Sequence, residues 1–239
     1  MTIKFESQVP KDVRNFARLL NITHPSKGKI PLKPYDYQLG LLKRYQNNPL
    51  NLVKHGRQVG TSMINCVYAL WFAMKYSNVT VVIASNKMMM SENLLNDIKY
   101  MYSGLPDSKK LGVATYNKSN IIFDNGSKII AKPLSADIVE GMNVSLFICD
   151  NFNHIQDIVS REFIQNSFSR LLAGRIILSS SNTYNSTLFN EMFYDAQKGI
   201  SQFKTFNIKG NRVPDRNYQW EKKMVDQLGL SKFMEEFNY

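Results

Sequence analysis

Cysteine, acidic side chains and long apolar runs are all scarce in this chain. Cys66 and Cys149 are the two cysteines among 239 residues; both lie in apolar surroundings and are not spaced as pairs of zinc ligands. We therefore expect buried free thiols in a reducing cytosol rather than disulfides or a cysteine zinc site.

The apolar runs are too short to cross a bilayer, and residues 1–12 contain no signal-peptide core, so secretion is not expected.

Acidic residues are outnumbered by basic ones, 19 to 30, which gives a formal net charge of +11. An excess of this size favours a polyanionic partner, with nucleic acid as the first candidate and acidic lipid as the second. The basic residues are spread along the chain, so no single arm or tail produces the charge. A content of 44% hydrophobic and 21% charged residues is typical of a globular protein with a core.

Apolar strands alternate with helical patterns over most of the chain. β-Branched and apolar runs predict strands at 51–55, 79–85, 144–149 and 174–178. Helical spacing predicts helices at 34–46, 61–76, 88–103, 159–172, 186–198 and 218–236, after an irregular lead-in, 1–33, with a short helix near 10–20. Residues 119–133 predict a β-hairpin with a type I′ turn at Asn125-Gly126. This order predicts an α/β fold with a mostly parallel central sheet and helices on both faces.

Polar residues follow three of the predicted strands. The segment GRQVGTS (56–62) follows the first, Asp150-Asn151 follows the third, and the segment SSSN (179–182) ends the fourth. Ligands of parallel α/β sheets bind beyond the carboxyl ends of the strands. We therefore expect a binding site where these three segments meet.

The first segment is similar to a phosphate-binding loop without its lysine. The common loop is G-x-x-x-x-G-K-[ST], and its lysine contacts the β- and γ-phosphates. Here Gly56 and Gly60 are four residues apart, Thr61 takes the lysine position and Ser62 follows. Main-chain N–H groups at a helix N-terminus hold phosphate, and the Ser62 hydroxyl is the expected Mg²⁺ ligand. A plain strand-to-helix turn explains the same residues.

Two more positions fit a nucleotide site. Asp150 ends an apolar strand, where the aspartate of phosphate-loop NTPases holds Mg²⁺. Hydrolysing families often have a glutamate next, but here the residue is Asn151, whose amide cannot take a proton. Gln38 can both donate to and accept from an adenine edge. The alternatives are a helix cap or turn former for Asp150 and an ordinary surface glutamine for Gln38.

Taken in chain order, these motifs resemble the ATPase domain of the large terminase subunit of tailed bacteriophages. The matching segments, over about residues 30–239, are Y-x-Y-Q at 35–38, GRQVGTS, VVIAS, FDNGSKIIAKP, EGMNVSLFICDN and IILSSSN. The resemblance implies a phosphate-loop NTPase core of the RecA/ASCE type with an inserted β-hairpin over residues 34–239. The family's large subunit continues into a C-terminal nuclease, which we expect to be missing from this chain.

The resemblance also implies a site, ligands and partners. The family's nucleotide-binding residues correspond to Gln38, Arg57, Gln58, Gly60, Thr61 and Ser62, its magnesium ligands to Ser62 and Asp150, and its catalytic positions to Asp150, Asn151 and Arg57. The implied cofactors are ATP and Mg²⁺. The implied partners are double-stranded DNA, the phage portal and the small terminase subunit, with a homo-oligomeric ring in the cytoplasm of the infected host and no membrane.

The departures from the family pattern affect catalysis. Thr61 replaces the lysine, Asn151 replaces the catalytic glutamate, Glu140 replaces the arginine of an R-G turn, and SSSN (179–182) replaces a T-T-T-P coupling segment. A phosphate charge contact is worth about a hundredfold to a thousandfold in rate, and losing a base or water-orienting group costs about another hundredfold. We therefore expect a catalytically impaired or pseudo-ATPase domain that binds nucleotide weakly, DNA or packaging partners.

Three other functions stay open. An active packaging motor could use Lys54 or Arg57 as a deviant loop cation. A helicase-like or recombination ATPase would need a second motor domain. A DNA-binding module without nucleotide would depend on the net charge alone, through salt-sensitive phosphate contacts. One candidate DNA surface is the set of lysines that flank the hairpin, Lys109, Lys110, Lys118, Lys128 and Lys132.

Overall fold

The computed structural model of the chain describes residues 9–24, 26–181 and 187–237. Its strands are β1 (Asn21–His24), β2 (Gly28–Pro31), β3 (Leu50–His55), β4 (Thr80–Ser85), β5 (Val113–Tyr116), β6 (Asn120–Phe123), β7 (Lys128–Pro133), β8 (Leu146–Cys149), β9 (Arg175–Ser181) and β10 (Lys204–Ile208). Its helices are α1 (Val13–Ala17), α2 (Asp36–Asn47), α3 (Thr61–Lys75), α4 (Met88–Ser103), α5 (Asp157–Asn166), α6 (Phe168–Leu171), α7 (Thr187–Gln197), α8 (Tyr218–Leu228) and α9 (Leu230–Phe237).

Eight strands form one sheet in the order β10-β3-β9-β8-β4-β7-β6-β5. The strands from β10 to β7 are parallel to their neighbours, while β6 and β5 extend the β7 edge in antiparallel orientation. The register pairs Leu50 with Ile176, and Ile177 with Ile148. This order brings the carboxyl ends of β3, β9 and β8 side by side. The predicted α/β class with a mostly parallel central sheet is confirmed.

Two apolar layers cover the sheet. Side chains of α1 to α4 pack in one layer, around Phe16, Tyr68 and Trp71, and side chains of α5 to α7 pack in the other, around Phe163 and Phe189. Strands β4 and β8 are buried at every residue because both faces of a parallel sheet are covered. Helix α3 has no charged residue before its last position, so it can lie in the first layer with twelve of its residues buried.

Residues 9–24 and 26–33 are more structured than the irregular lead-in that the sequence predicts; residues 1–8 and 25 of that lead-in lie outside the described part. Helix α1 is capped by the Asp12 side chain, which accepts from the N–H of Arg14 at 2.8 Å. The antiparallel pair β1 and β2 follows and was not predicted. Val13 and Phe16 are fully buried in the same core as α2 and α3, so this segment packs on the α/β core.

Two predicted helices are each divided in the structure. The helix at 159–172 is interrupted at Ser167, whose hydroxyl donates to the carbonyl of Ala136, and the helix at 218–236 is interrupted at Gly229, which has φ of +78°. Strands β5 and β10 were not predicted either. Both have many exposed or half-exposed positions, and edge strands of this kind give weak apolar periodicity.

The turn of the predicted β6–β7 hairpin has a different geometry. Gly126 has φ of +79°, but Asn125 is not in the positive-φ region, so the turn is not of type I′. The N–H of Phe123 instead donates to the carbonyl of Ser127 at 2.8 Å. The Asn125 side chain donates to the carbonyls of Ala73 and Tyr76 at 3.0 and 3.1 Å. Because these tertiary contacts hold Asn125, the local dipeptide preference does not decide the turn type.

Both cysteines are buried and unpaired, as predicted. Burial raises the pKa of both thiols well above their ordinary value. No helix in the described part of the chain has the length and apolar character needed to cross a bilayer.

Candidate functional site

A cleft of about 750 Å³ lies at the carboxyl ends of the parallel strands. It is lined by the loop residues Arg57, Gln58, Val59, Gly60, Thr61, Ser62 and Met63, by His55, Asn151, His154 and Ser181, and by Asn86, Lys87, Met89, Met90 and Asp97 near or on α4. Segments that are far apart in the sequence therefore meet at one place. This is the position at which parallel α/β sheets bind ligands.

The loop between β3 and α3 has the backbone of an anion-binding turn. Gln58 and Gly60 have φ of +59° and +79°, and left-handed residues of this kind turn successive N–H groups toward one side. Helix α3 begins at Thr61, and the first N–H groups of a helix have no partner within it. A non-glycine residue with positive φ is strained. The strain at Gln58 is consistent with a loop shaped for a ligand.

Helix α2 holds this loop through the carbonyl of Val59. The Tyr37 hydroxyl donates to that carbonyl at 2.9 Å, and Gln38 Nε2 donates to it at 3.0 Å. Gln38 Oε1 accepts from the N–H of Tyr35 at 3.0 Å. Burial raises the pKa of Tyr37 to about 12, which keeps its hydroxyl protonated and able to donate. The Gln38 amide therefore holds the loop through Nε2 and caps the N-terminus of α2 through Oε1. Its predicted role toward adenine stays a prediction.

Substitution of Gly60 tests this arrangement. A Cβ at Gly60 would lie 2.5 Å from Gln38 Nε2, in addition to the left-handed φ. We expect Gly60→Ala to lower the free energy of unfolding by about 2 kcal/mol, measured by denaturant titration. Gly40→Ala is the matched control: Gly40 is exposed within α2 with open space around it, so the change should stabilise by about 0.5 kcal/mol. Equal stability of the two variants would contradict the packed geometry.

Ser62 and Asp150 are in direct contact at the base of the cleft. The Ser62 hydroxyl donates to Asp150 Oδ2 at 2.7 Å, although the two residues are 88 positions apart. The Asp150 side chain is buried, and Asn151 Nδ2 donates to the same oxygen at 3.1 Å. Ser62 lines the cleft, and the buried Asp150 carboxylate lies behind it. A serine hydroxyl beside a carboxylate is a donor set that suits Mg²⁺ once phosphate oxygens and water complete it.

Two buried residues that the sequence analysis missed, Asn65 and Tyr45, extend this contact into a network with Ser179, the first residue of the predicted segment SSSN. Asn65 Nδ2 donates to Asp150 Oδ1 and to Ser179 Oγ, both at 2.9 Å, and Ser179 Oγ donates to Asp150 Oδ1 at 2.8 Å. The Tyr45 hydroxyl donates to Asn65 Oδ1 at 2.9 Å. Apart from the neighbouring Asn151, the donors to the Asp150 side chain thus come from α3 and β9, which both pack against β8. A polar Asn65 inside an otherwise apolar helix was the signal available in the sequence.

Asn151 lies in the cleft, at the position where hydrolysing families have a glutamate. Its φ is +57°, a conformation that asparagine adopts more readily than glutamate does. Its amide is directed at Asp150 and carries no carboxylate that could take a proton. The side chain therefore cannot act as a general base.

The cations near the loop differ in placement. Arg57 lines the cleft, with 49% of its side chain exposed, and lies 3.5 Å from Glu236. Lys54 does not line the cleft: its ammonium is on the α7 side of β3, 3.5 Å from Asn190 Oδ1, where burial lowers its pKa. Lys87, which precedes α4, lines the cleft and was not considered from the sequence. Of the two cations proposed for a deviant loop, Arg57 is the one that reaches the site.

The C-terminal helices hold the outer side of the loop. Arg216 donates to the carbonyls of Arg57 and Gln58 at 3.0 and 3.4 Å, and its guanidinium lies 4.7 and 4.9 Å from the ring centroids of Trp220 and Phe237. A Cβ at Gly56 would be 2.2 Å from the carbonyl oxygen of Phe237, so only glycine fits there. No sequence motif around Arg216 indicates that this arginine belongs to the site.

Other residues singled out from the sequence lie elsewhere. Glu140 is exposed in the turn before β8 and does not line the cleft. Asn182, the last residue of the predicted coupling segment, lies outside the described residues. Among the hairpin lysines, Lys110 and Lys118 form ion pairs with Asp107 and Glu92 at 3.0 and 3.2 Å. The hairpin as a DNA-contact surface stays a prediction.

The residues present fit a magnesium–nucleotide ligand. The Thr61 hydroxyl is buried, lines the cleft and has no hydrogen-bond partner among the described residues, so an incoming oxygen atom would satisfy it. No cluster of three or more His, Cys, Asp and Glu side chains suited to a metal occurs in the described ranges. Ser62 and Asp150, which are in contact at 2.7 Å, are the residues that would hold a metal together with ligand oxygens.

The fold is that of solved phage terminases, while no model of a known protein family matches the sequence. The large terminase ATPase domain of Thermus phage P74-26 matches with a TM-score of 0.63 at 18% identity, over 86% of this chain and 93% of that one. The large terminase of bacteriophage HK97 matches with a TM-score of 0.70 at 12% identity, over 95% of this chain and 54% of that one.

A third solved structure adds a nucleotide complex. The large terminase of a thermophilic bacteriophage, in complex with ATP-gamma-S, matches with a TM-score of 0.61 at 10% identity, over 81% of this chain and 49% of that one. This chain thus spans about half the length of that terminase and of the HK97 terminase. The predicted resemblance to large-terminase ATPase domains is confirmed at the level of the fold.

Proposed function

We propose that this chain is an ATPase-fold domain of viral DNA packaging that binds Mg²⁺–ATP in the cleft and hydrolyses it at a rate near background. The observation that supports this most directly is the 2.7 Å contact between Ser62 and Asp150 below a left-handed loop that ends in α3. Bound Mg²⁺ would neutralise phosphate charge at this point. The chain's own residues supply the loop amides, the Ser62 hydroxyl and the Asp150 carboxylate.

Slow hydrolysis follows from the side chains at two positions. Thr61 offers a neutral hydroxyl where a lysine would meet the β- and γ-phosphates, and Asn151 offers an amide where a carboxylate would orient water. The site can therefore bind phosphate without strongly stabilising the transition state. Binding of nucleotide would then act on the fold or on partners rather than drive rapid turnover.

Nucleotide binding tests the proposal directly. We expect fluorescently labelled ATP to bind the intact chain in the presence of Mg²⁺, and to bind more weakly with EDTA, because Ser62 and Asp150 hold the metal only together with phosphate. Fluorescence anisotropy titration would measure both. Ser62→Ala should remove the Mg²⁺ dependence, while Ser62→Thr keeps the hydroxyl and should retain it. Absence of binding at all Mg²⁺ concentrations would reject the nucleotide site and favour a DNA-binding module.

An active motor is the second candidate, because Arg57 and Lys87 bring two cations to the cleft. It predicts ATP turnover that DNA stimulates and that Arg57→Ala or Lys87→Ala removes. Lys54→Ala is the matched control, since that ammonium contacts Asn190 on the other side of β3. Turnover in the wild-type chain at rates typical of packaging motors would replace the first proposal with this one.

We further propose double-stranded DNA as a partner, on the basis of the net charge of +11 and the terminase fold. Binding should weaken steeply with salt and show little sequence preference. Association with the phage portal and small terminase subunit, a homo-oligomeric ring, and a place in the host cytoplasm without membrane contact belong to the same proposal. Each depends on the terminase-like function rather than on a contact within this chain.

A further inference from the structure

Histidine is rare in this chain, yet two of the three histidines line the candidate cleft. They are His55, the last residue of β3, and His154, in the short 3-10 turn after β8. Neither was considered as a site residue from the sequence. The third, His24, lies in β1 and hydrogen-bonds with Ser26 outside the cleft.

The geometry of His55 assigns its two ring nitrogens. Nδ1 lies 2.9 Å from the carbonyl oxygen of Gly56, and since a carbonyl only accepts, Nδ1 carries a proton. Nε2 is buried and has no hydrogen-bond partner among the described residues. The neutral ring therefore keeps an unpaired acceptor at Nε2. Thr61 Oγ1 and Ser181 Oγ, which belong to two other residues that line the cleft, are likewise buried without a hydrogen-bond partner among the described residues.

We infer that His55 takes up a proton from solvent when a polyphosphate binds in this cleft, so that Nε2–H donates to a phosphate oxygen and the imidazolium supplies positive charge that Thr61 lacks. The inference rests on the proposed function, because it requires a nucleotide in the cleft. It adds a proton-linked binding residue to that function. Binding of nucleotide would consequently strengthen as pH falls.

The charged groups around His55 favour protonation of its ring only when an anion is bound in the cleft. Asp150, from the end of β8, favours the protonated ring, and His154 opposes it. Arg57, Lys87 and Asp97 line the other walls of the cleft. Burial is the largest influence and lowers the pKa of His55 below its ordinary value, so the ring is neutral near pH 7 without ligand. Mg²⁺–ATP keeps a net negative charge, and a phosphate oxygen within hydrogen-bond distance of Nε2 would shift this balance toward the protonated ring.

Proton uptake on binding is the measurement. We expect isothermal titration of ATP with Mg²⁺ at pH 7, in buffers of different ionisation enthalpy, to show that His55→Asn takes up less proton than the wild type. The asparagine amide can keep the bond to the Gly56 carbonyl but has no titratable nitrogen. Between pH 8 and pH 6 the wild type should gain affinity relative to His55→Asn by up to about tenfold per pH unit, the limit for one linked proton.

Three outcomes separate the possibilities. The terminal phosphate of ATP also titrates in this range, but it does so equally in both proteins, so only the difference between them reports on His55. His24→Asn should match the wild type, because His24 is outside the cleft. Nucleotide binding with the same proton uptake in wild type and His55→Asn would overturn this inference alone. No nucleotide binding to the wild type from pH 6 to pH 8 would overturn the proposed function and the inference with it.

Discussion

The double variant Thr61→Lys/Asn151→Glu is expected to hydrolyse ATP about 10⁴-fold faster than the wild-type chain. Thr61 lines the cleft at the first position of α3 and Asn151 lines it beside Asp150, so both new side chains would enter the site. The lysine would add a charge contact to the phosphates, and the glutamate would accept a proton from water. Steady-state phosphate release with Mg²⁺–ATP measures the gain.

The single variants divide the expected gain. Thr61→Lys should contribute about a hundredfold to a thousandfold, and Asn151→Glu about a hundredfold. The glutamate must adopt the φ of +57° found at Asn151, which costs about 1 kcal/mol of stability. A matched control is Thr61→Met/Asn151→Gln, which has similar side-chain volumes without the charges and should gain nothing. If the lysine and glutamate variant folds, binds ATP and stays as slow as this control, the loop does not place phosphate as proposed.

Removal of the Asp150 carboxylate should have the second large effect. Asp150→Ala leaves Asn65 and Ser179, both buried, without their acceptor. We expect it to lower the free energy of unfolding by about 3 kcal/mol and to abolish the Mg²⁺ dependence of nucleotide binding. Asp150→Asn keeps the volume and one acceptor, so it should destabilise by about 1 kcal/mol while losing the same Mg²⁺ dependence. Denaturant titration and nucleotide titration measure the two effects.

An exposed carboxylate gives the control for Asp150. Asp157, at the start of α5, pairs with Arg161 at 2.8 Å on the surface. Asp157→Asn should change stability by no more than about 0.5 kcal/mol and leave the Mg²⁺ dependence intact. A retained Mg²⁺ dependence in Asp150→Asn would show that the metal, if bound, is held elsewhere.

The local patterns of the chain were sufficient for the main elements of the fold. Continuous apolar runs identified β4 and β8, and apolar helical spacing identified α3 and α4. These assignments hold because periodicity reflects which face of an element is buried. The same reasoning was weak for β5, β10 and the β1–β2 pair, which lie at edges or on the surface with little apolar contrast. It also placed one turn type wrongly, because Asn125 is held by distant carbonyls.

For the candidate site, too, some features could be predicted from the sequence and others could not. The order of its motifs, the loss of the loop lysine and the presence of Asn151 could all be read along the chain. Their meeting in one cleft could be expected from the rule for parallel sheets. The sequence predicted that the loop 56–62 lies beside Asp150, and the hydrogen bond from Ser62 to Asp150 shows this.

Only the tertiary structure decided which other side chains complete the site. Asn65 reaches Asp150 because α3 packs on β8, and Tyr45 of α2 donates to Asn65 in turn. Arg216 reaches the loop because the C-terminal helices fold back on it, 159 residues away in sequence. The unpartnered nitrogen of His55 is visible only once its burial and its bond to Gly56 are known. Backbone periodicity is a local property, so the sequence pattern predicts it. Hydrogen-bond satisfaction depends on groups brought together from distant parts of the chain, so the sequence pattern does not predict it.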